Sequence, residues 1–304
     1  MSESKFHRFA ALLPADCLQY HVALAPYTTM HVGGSAALFA EPKNPEQLEN
    51  IILSAKECNI PVLVLGNGSN LLISDSGFDG LAIHLGREFA EMTVCDNILT
   101  AQAGASLAAA ARTAAAHNLS GLEFAAGIPG TIGGAVCMNA GAYGGEIAQV
   151  ILSARVLTPN GIKTLSADEL ALGYRTSAVA KNHWIVLDAV FSLASGDAEQ
   201  IRQTMADLAA RRREKQPLQY PSCGSFFKRP TGHYAGALIE QAGLKGYRIG
   251  DAQVSEMHAG FIINRGHATA ADIYRLMRHV QRTVQEQSGI LLEPEVRLIG
   301  RFEA

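Results

Sequence analysis

The chain has 304 residues, enough for about two domains with buried cores, and its 48% hydrophobic and 17% charged residues are typical of a globular protein. The net charge of −3 gives no basic field for nucleic acid, no apolar run approaches the roughly 18 residues of a membrane span, and the N-terminus does not fit a signal peptide. Five scattered cysteines without C-x-x-C spacing predict free thiols in a reducing cytoplasm, with neither disulfides nor a metal site.

The first part of the chain begins with a β-α-β pattern. Loose alternation predicts a strand from Leu18, and a second short strand follows at 37–40. Asn44-Pro45 predicts a helix N-terminus, because Asn caps helices well and Pro fits their first turn. The continuous apolar run 61–65 then predicts a strand buried on both faces.

A polar loop, G-N-G-S-N-L-L at 66–72, follows that strand directly. The carboxyl end of a buried strand is where α/β proteins bind ligands, and these N–H groups and the Ser69 hydroxyl are suited to a phosphate. The loop is not the dinucleotide fingerprint G-x-G-x-x-G, and a simple turn explains it equally well.

Further strands are predicted at 80–85 and 98–103, and an alanine-rich helix at 105–117. The segment 125–145 comes next, with seven glycines, large apolar residues and almost no charge. It has neither the serines nor the polarity of a linker, so we expect a buried loop that presents backbone N–H groups to an anionic ligand. Strands at 150–157 and 184–193 complete a domain that ends near residue 195.

The last third predicts a compact α+β domain. Its predicted elements are helices at 197–213, 234–242 and 271–287 and strands at 258–264 and 292–299. The basic end of the first helix complements the helix dipole, which is the ordinary interpretation of such a cluster.

Three polar residues stand in unusual surroundings. Arg175 precedes a buried strand, Ser225 lies beside two aromatic residues, and Glu295 begins the last strand. Arg175 and Glu295 also fit a structural salt bridge, and Ser225 an ordinary strand hydroxyl. The residues alone therefore indicate a dinucleotide-like ligand, a second domain and a polar site.

Seven motifs in register resemble the UDP-N-acetylenolpyruvoylglucosamine reductase (MurB) family. They are T-T-M-H-V-G-G, G-N-G-S-N-L-L, A-G-I-P-G-T-I-G-G-A-V-x-M-N-A-G-A-Y-G, G-Y-R-T-S, G-S-F-F-K, H-A-G-F-I-I-N and L-E-P-E-V-R, spread over residues 28–300. Each motif is weak alone, but the set in this order is specific.

The resemblance implies an α+β protein with an FAD-binding fold of the vanillyl-alcohol-oxidase (PCMH) type. Its FAD-binding domain would cover 1–195, in two subdomains of about 1–85 and 86–195, and a C-terminal α+β substrate domain would cover 196–304. The implied reaction is the NADPH-dependent reduction of UDP-N-acetylglucosamine-enolpyruvate to UDP-N-acetylmuramate, a cytoplasmic step of peptidoglycan synthesis. We expect a monomer that binds neither nucleic acid nor membrane.

The family's functional residues map onto matching positions of this sequence. Ser225 would be the proton donor, and Arg175 and Glu295 would polarise the substrate carboxylate and stabilise the intermediate. The implied substrate-binding residues are Tyr174, Arg211, Lys215 and Lys228. The implied FAD-binding residues are Gly66, Asn67, Gly68, Ser69, Asn70, Gly127, Ile128, Pro129, Gly130, Thr131, Gly133, Gly134, Asn139, Ala140 and Gly141.

The sequence departs from the family pattern at two positions, since Arg229 follows G-S-F-F-K in place of the usual Asn and Asp251 stands where Gly is more common. The short span between Arg175 and Ser225 implies the subclass without an extra tyrosine-bearing loop. No histidine is placed for covalent flavin attachment, so we expect non-covalent FAD. Two alternatives remain open: another FAD oxidoreductase of this fold, and a nucleotide-sugar-binding protein that has lost flavin chemistry.

Overall fold

The computed structural model describes residues 2–14 and 17–303. Its helices are α1 (Ser2–Ala10), α2 (Pro45–Glu57), α3 (Leu107–Ala116), α4 (Ile132–Met138), α5 (Ala178–Asn182), α6 (Ala198–Lys215), α7 (Ala235–Gln241) and α8 (Ala270–Ser288). Its strands are β1 (Gln19–Ala23), β2 (Ser35–Ala40), β3 (Val62–Leu65), β4 (Leu71–Ile73), β5 (Phe78–His84), β6 (Met92–Cys95), β7 (Ile98–Gln102), β8 (Leu119–Ser120), β9 (Gly141–Ala142), β10 (Gly145–Glu146), β11 (Ile151–Thr158), β12 (Gly161–Ser166), β13 (Ile185–Ser192), β14 (Ala194–Ser195), β15 (Ser222–Ser225), β16 (Arg248–Ile249), β17 (Ala252–Val254), β18 (Phe261–Asn264) and β19 (Arg297–Ile299).

The chain divides into two compact units, each assembled from three segments. The first unit consists of Met1–Leu18, Ala40–Gly66 and Ile83–Arg212, and the second of Gln19–Phe39, Asn67–Ala82 and Arg213–Ala304. The sequence placed a domain boundary near 195, whereas residues 196–212 lie with the first unit. The reason is local packing, because the Gly196 N–H donates to the Asn118 carbonyl at 2.9 Å and Ile201 is buried.

The first unit contains a five-stranded antiparallel sheet in the order β12-β11-β13-β7-β6. Helix α4 packs on β13 and β7, and it buries Ile132, Ala135 and Val136. Helix α3 buries a face of Leu107, Ala110 and Ala114, as an amphipathic period predicts. The glycine-rich segment is therefore attached to a well-packed sheet.

The second unit contains a four-stranded antiparallel sheet in the order β15-β18-β17-β16. Helix α8 packs against this sheet through an apolar face that includes Ile273, Leu276 and Val280. Strand β19 pairs in parallel with β4, which aligns Arg297 with Leu71. The last strand of the chain is thereby fixed beside the loop that follows β3.

Most predicted elements are confirmed, and three predictions about them are wrong. Strand β3 is not buried on both faces, because burial alternates along it and Val62 is 37% exposed. The segment 125–145 is not a loop throughout, because Thr131 and Asn139 bound the helix α4 inside it. The closing strand begins only at Arg297, and Pro294 before it forms a single isolated bridge with Phe227. Among residues 2–14 and 17–303, no helix combines the length and the apolar character needed to cross a membrane.

Candidate functional site

The glycine-rich segment enters α4 through residues whose backbone donors are already used. Thr131 Oγ1 caps the helix by accepting from the Gly134 N–H at 3.5 Å, and the Gly133 N–H donates to the Ala103 carbonyl at 2.8 Å. A Cβ added to Gly134 would meet nothing closer than Thr131 Oγ1 at 3.7 Å. Gly134 therefore gives a bound group room to approach the backbone.

Two of the segments predicted to bind the cofactor meet where β3 ends. A Cβ on Gly66 would lie 2.3 Å from Thr131 Oγ1, so no side chain fits at position 66. The other predicted residues of the glycine-rich segment lie around α4: Ile128, Pro129 and Gly130 precede the helix, and Ala140 and Gly141 follow it. The first unit thus brings Gly66 to the start of α4.

Arg212 of α6 lies against the same segment. A Cβ on Gly127 would come within 2.9 Å of Arg212 Cδ and 3.4 Å of a guanidinium nitrogen, so the space beside Gly127 is occupied by this arginine. Arg212 Nε is buried, and no acceptor among the residues that the structure describes bonds to it. Burial lowers the pKa of Arg212, with a smaller opposing effect from Tyr143. Arg212 is half-buried, and a cation with a buried donor that lacks an acceptor among the described residues fits an anionic ligand group.

The end of α4 is joined to the segment that carries Arg175. Asn139, in the left-handed region at φ 43°, accepts from the Ala148 N–H at 3.0 Å and donates its amide to the Gly173 carbonyl at 3.3 Å. The Ser177 hydroxyl donates to the Cys137 carbonyl at 2.8 Å. The side chain of Asn139 is thus used within the protein, and its predicted cofactor contact remains a prediction for the backbone.

Arg175 lies at the corner of a tight turn. Gly173 and Thr176 exchange two backbone hydrogen bonds of 3.0 and 3.2 Å, which leaves Tyr174 and Arg175 as the central residues. Arg175 has φ 54°, and its guanidinium carbon lies 5.8 Å from the centre of the Tyr174 ring. Tyr174 is 62% exposed, so its ring is open to a ligand.

The second unit brings together three further motifs. The Glu295 N–H donates to the Phe226 carbonyl at 2.9 Å, which places the E-P-E segment beside β15 and Ser225. The Asn70 amide donates to the Glu295 carbonyl at 3.1 Å and so ties the G-N-G-S-N loop to the same segment. In this loop Gly68 has φ 56°, and a Cβ there would lie 2.1 Å from the Tyr27 carbonyl oxygen.

Ser225 is exposed, and its hydroxyl makes no hydrogen bond to the residues that the structure describes. Burial raises the pKa of the neighbouring Cys223 thiol to about 12, and the negative charge of Glu295 contributes to the increase. The thiol therefore stays protonated at neutral pH. Of the two hydroxyls on this strand, Ser225 is exposed and Ser222 is half-buried.

The predicted substrate cations differ in their surroundings. The Lys228 ammonium forms an ion pair with the Glu293 carboxylate, and the Lys228 backbone N–H donates to the Glu293 backbone carbonyl at 2.9 Å. Arg211 and Lys215 are exposed on α6. The sequence did not distinguish Arg212 from its neighbours Arg211 and Arg213, and it gave Ser177 no role. Only the folded chain shows that Arg212 lies against Gly127 and that Ser177 bonds to Cys137.

Two family models match this chain. The model described as FAD binding domain matches residues 36–166, and the model described as UDP-N-acetylenolpyruvoylglucosamine reductase, C-terminal domain, matches residues 216–299.

Similar proteins carry the same description. The UDP-N-acetylenolpyruvoylglucosamine reductase of Agathobacter rectalis is 52% identical over 95% of this chain and 96% of its own length. That of Levilactobacillus brevis is 50% identical over 96% of each chain. The crystal structure of UDP-N-acetylenolpyruvylglucosamine reductase (MurB) from Thermus caldophilus matches with a TM-score of 0.81 and 37% identity, over 93% of this chain and 99% of that chain. These matches confirm the predicted family, the α+β class and the FAD-binding domain.

Proposed function

Because the chain belongs to the UDP-N-acetylenolpyruvoylglucosamine reductase family, we propose that it uses NADPH to reduce the enolpyruvyl double bond of UDP-N-acetylglucosamine-enolpyruvate, giving UDP-N-acetylmuramate. The observation that carries the proposal is the 52% identity to a reductase over 95% of the chain, with G-Y-R, G-S-F-F-K and E-P-E all present. The chain is an FAD-dependent oxidoreductase. We place its reaction in the cytoplasm, as a step of peptidoglycan precursor synthesis, and expect it to act as a monomer.

The residues of the first unit fit FAD. Gly66 and Gly127 let Thr131 and Arg212 pack closely on the glycine-rich segments, Gly134 leaves the start of α4 open, and half-buried Arg212 offers a cation with a buried Nε–H for an anionic group of the cofactor. When bound, FAD supplies the transfer of hydride from NADPH to the substrate. The protein contributes binding, orientation and charge.

Ser225 is proposed as the proton donor. Hydride addition at the terminal enolpyruvyl carbon leaves negative charge on the carbon beside the carboxylate, as an enolate-like species. Such a carbon is basic enough to take a proton from a serine, although serine is a weak acid in water. The accessible Ser225 hydroxyl, which makes no hydrogen bond to residues 2–14 and 17–303, suits this step.

Arg175 and Glu295 are proposed to act on the same developing charge. A guanidinium near the substrate carboxylate stabilises the enolate-like species more than the ground state, and such a difference lowers the barrier. Glu295, held through its backbone on Phe226 and Asn70, would help to polarise the carboxylate.

Exposed Arg211 and Lys215, with Tyr174, are proposed to hold the substrate's diphosphate, since cations suit phosphate oxygens. Lys228 contributes less charge, because Glu293 already pairs with it.

The experiment that tests this function follows NADPH oxidation after addition of UDP-N-acetylglucosamine-enolpyruvate. Ser225→Ala should abolish turnover and leave the reduction of FAD by NADPH intact, since only the later protonation needs the hydroxyl. Ser222→Ala on the same strand is the control and should turn over normally. Normal turnover by Ser225→Ala would show that another group is the acid.

The colour of the purified protein, together with its substrate, distinguishes the proposed reductase from the two alternative functions. A purified protein that is colourless and cannot be reconstituted with FAD would favour a nucleotide-sugar-binding protein. A yellow protein that oxidises alcohols or sugars, but does not reduce the enolpyruvyl substrate, would favour another FAD oxidoreductase of this fold.

A further inference from the structure

We propose that Asn139 and Ser177 are positioning residues that hold the Tyr174–Arg175 turn on the C-terminal end of α4 and thereby fix the Arg175 guanidinium. The inference rests on the role of Arg175 in the proposed function. Both side chains are buried, since Asn139 is 3% exposed and Ser177 is 0% exposed.

The turn at Gly173–Thr176 holds Arg175 in a backbone conformation that arginine disfavours. Positive φ at the third residue alone is the pattern of a type II turn, in which glycine or asparagine is preferred. An L-residue in the left-handed region costs about 1 kcal/mol or more. Such a conformation persists only where the surrounding structure imposes it.

Asn139 and Ser177 hold the two sides of this turn. Asn139 Nδ2 bonds to the Gly173 carbonyl just before the turn, at 3.3 Å. Ser177 Oγ bonds to the Cys137 carbonyl just after it, at 2.8 Å. The first bond comes from Asn139, the residue that caps the C-terminal end of α4, and the second ends on Cys137 inside this helix.

Asn139 is itself fixed, because its Oδ1 accepts from the Ala148 N–H at 3.0 Å. Rotating the amide away from Gly173 would break this bond as well. Since water does not reach the buried amide, a lost bond is not replaced. A change at either anchor should therefore let the Arg175 turn move, and a displacement of about 1 Å at a catalytic group lowers a rate by about 100-fold.

The central variant is Asn139→Asp, which keeps the acceptor for Ala148 and removes the donor to Gly173. We expect kcat at saturating FAD to fall about 10- to 100-fold with a smaller change in KM. In an Arg175→Ala background the same substitution should lower kcat no further, because the guanidinium that it positions is absent. Amide hydrogen exchange at Gly173 and Thr176 should become faster.

Asn264→Asp is the matched control. In the second unit Asn264 Nδ2 likewise donates to a distant carbonyl, that of Met30, at 3.1 Å, and Oδ1 accepts from the Gly266 N–H at 2.8 Å. It is 2% exposed, so this variant has the same cost of a buried carboxylate. Its effect on kcat should be the same with and without Arg175.

Ser177→Ala is a second test, which introduces no buried charge, and we expect the same fall in kcat. Ser177 also caps α5 through the Ala180 N–H at 3.1 Å, so Ser106→Ala, which removes only the cap of α3, controls for the lost cap. Together the two anchors test one turn from both sides.

The proposal is overturned if Asn139→Asp lowers kcat equally in the wild-type and Arg175→Ala backgrounds, or if exchange at Gly173 and Thr176 is unchanged in both anchor variants. Failure of the proposed function is recognised separately. In that case Arg175→Ala alone has wild-type turnover, while amide exchange at Gly173 and Thr176 still becomes faster in Asn139→Asp. The proposed effect of Asn139 and Ser177 on kcat is then overturned as well.

Discussion

Arg175 has the backbone conformation that its turn requires and the side chain that the proposed chemistry requires, and the two requirements conflict. At φ 54° glycine is preferred, so Arg175→Gly removes both the guanidinium and the backbone strain. We expect Arg175→Gly to be more stable than Arg175→Ala by about 1 kcal/mol, because alanine keeps the disfavoured φ. The measurement is the urea midpoint of the two variants at equal FAD concentration.

Both variants lack the guanidinium and should retain the same low but measurable kcat, which makes Arg175→Ala the control for Arg175→Gly. A lower urea midpoint for the glycine variant would contradict the argument from strain. A stabilised Arg175→Gly with lowered kcat would fit the wider pattern that functional sites are held at a cost in stability.

At the scale of single residues, the roles of Arg175 and Ser225 came from the resemblance of G-Y-R and G-S-F-F-K to the family motifs, and they stay predictions. The residue types alone fitted structural roles equally well. Arg212 stood in the basic run Arg211–Arg213, which a helix dipole explains, and nothing in the sequence indicated which of the three arginines is half-buried. That distinction depends on Gly127, which lies 85 residues earlier in the chain.

Among the elements, α8 is the long helix of the second unit, and its N-terminus is capped from a distant loop. Asp75 accepts from the Ala270 and Ala271 N–H groups, each at 2.9 Å, and supplements the capping box of Thr269 and Asp272. We expect Asp75→Ala to lower the free energy of unfolding by about 1–2 kcal/mol, since it leaves two helix donors without their acceptor. Chemical denaturation of the full chain measures this loss.

Asp79→Ala is the control, because Asp79 is an exposed carboxylate of the same part of the chain and lies outside this cap. It should leave the free energy of unfolding within about 0.5 kcal/mol of the wild type. Equal losses in the two variants would show that the Asp75 cap contributes nothing.

The sequence predicted α8 to within one residue at each end, yet it did not predict α4. A strong apolar period with a capping residue explains the first result. In α4 the pair Gly133-Gly134 has poor helix propensity, and the helix forms because Thr131 caps it, Asn139 ends it and β13 packs against it. Tertiary contacts that a local pattern does not contain thus determined this element.

For the whole molecule, the order of the elements was predicted but their grouping was not. Each compact unit takes three separate segments, and β4 pairs with β19 across more than two hundred residues. Periodicity along the chain carries no information about such pairing, so a single boundary near 195 was the simplest prediction that the sequence allowed.

The stability of the whole molecule should respond to FAD, because a ligand that binds only the folded chain raises the free energy of unfolding. At 100 times its dissociation constant, FAD should add about 2.7 kcal/mol. Riboflavin, which lacks the phosphates, should add much less at equal concentration if the glycine-rich segments hold the diphosphate. Thermal unfolding of the apoprotein against ligand concentration measures both shifts.

Arg212→Ala should weaken FAD about 10- to 100-fold, because it removes a charged donor from a buried position. The FAD-dependent rise in unfolding temperature should then shrink. Arg211→Ala, one residue away on the exposed side of α6, should retain that rise and serves as the control. An Arg212→Ala protein with the full FAD-dependent shift would show that the Arg212 guanidinium does not contact the cofactor. Packing against Gly127 would then be the role of Arg212.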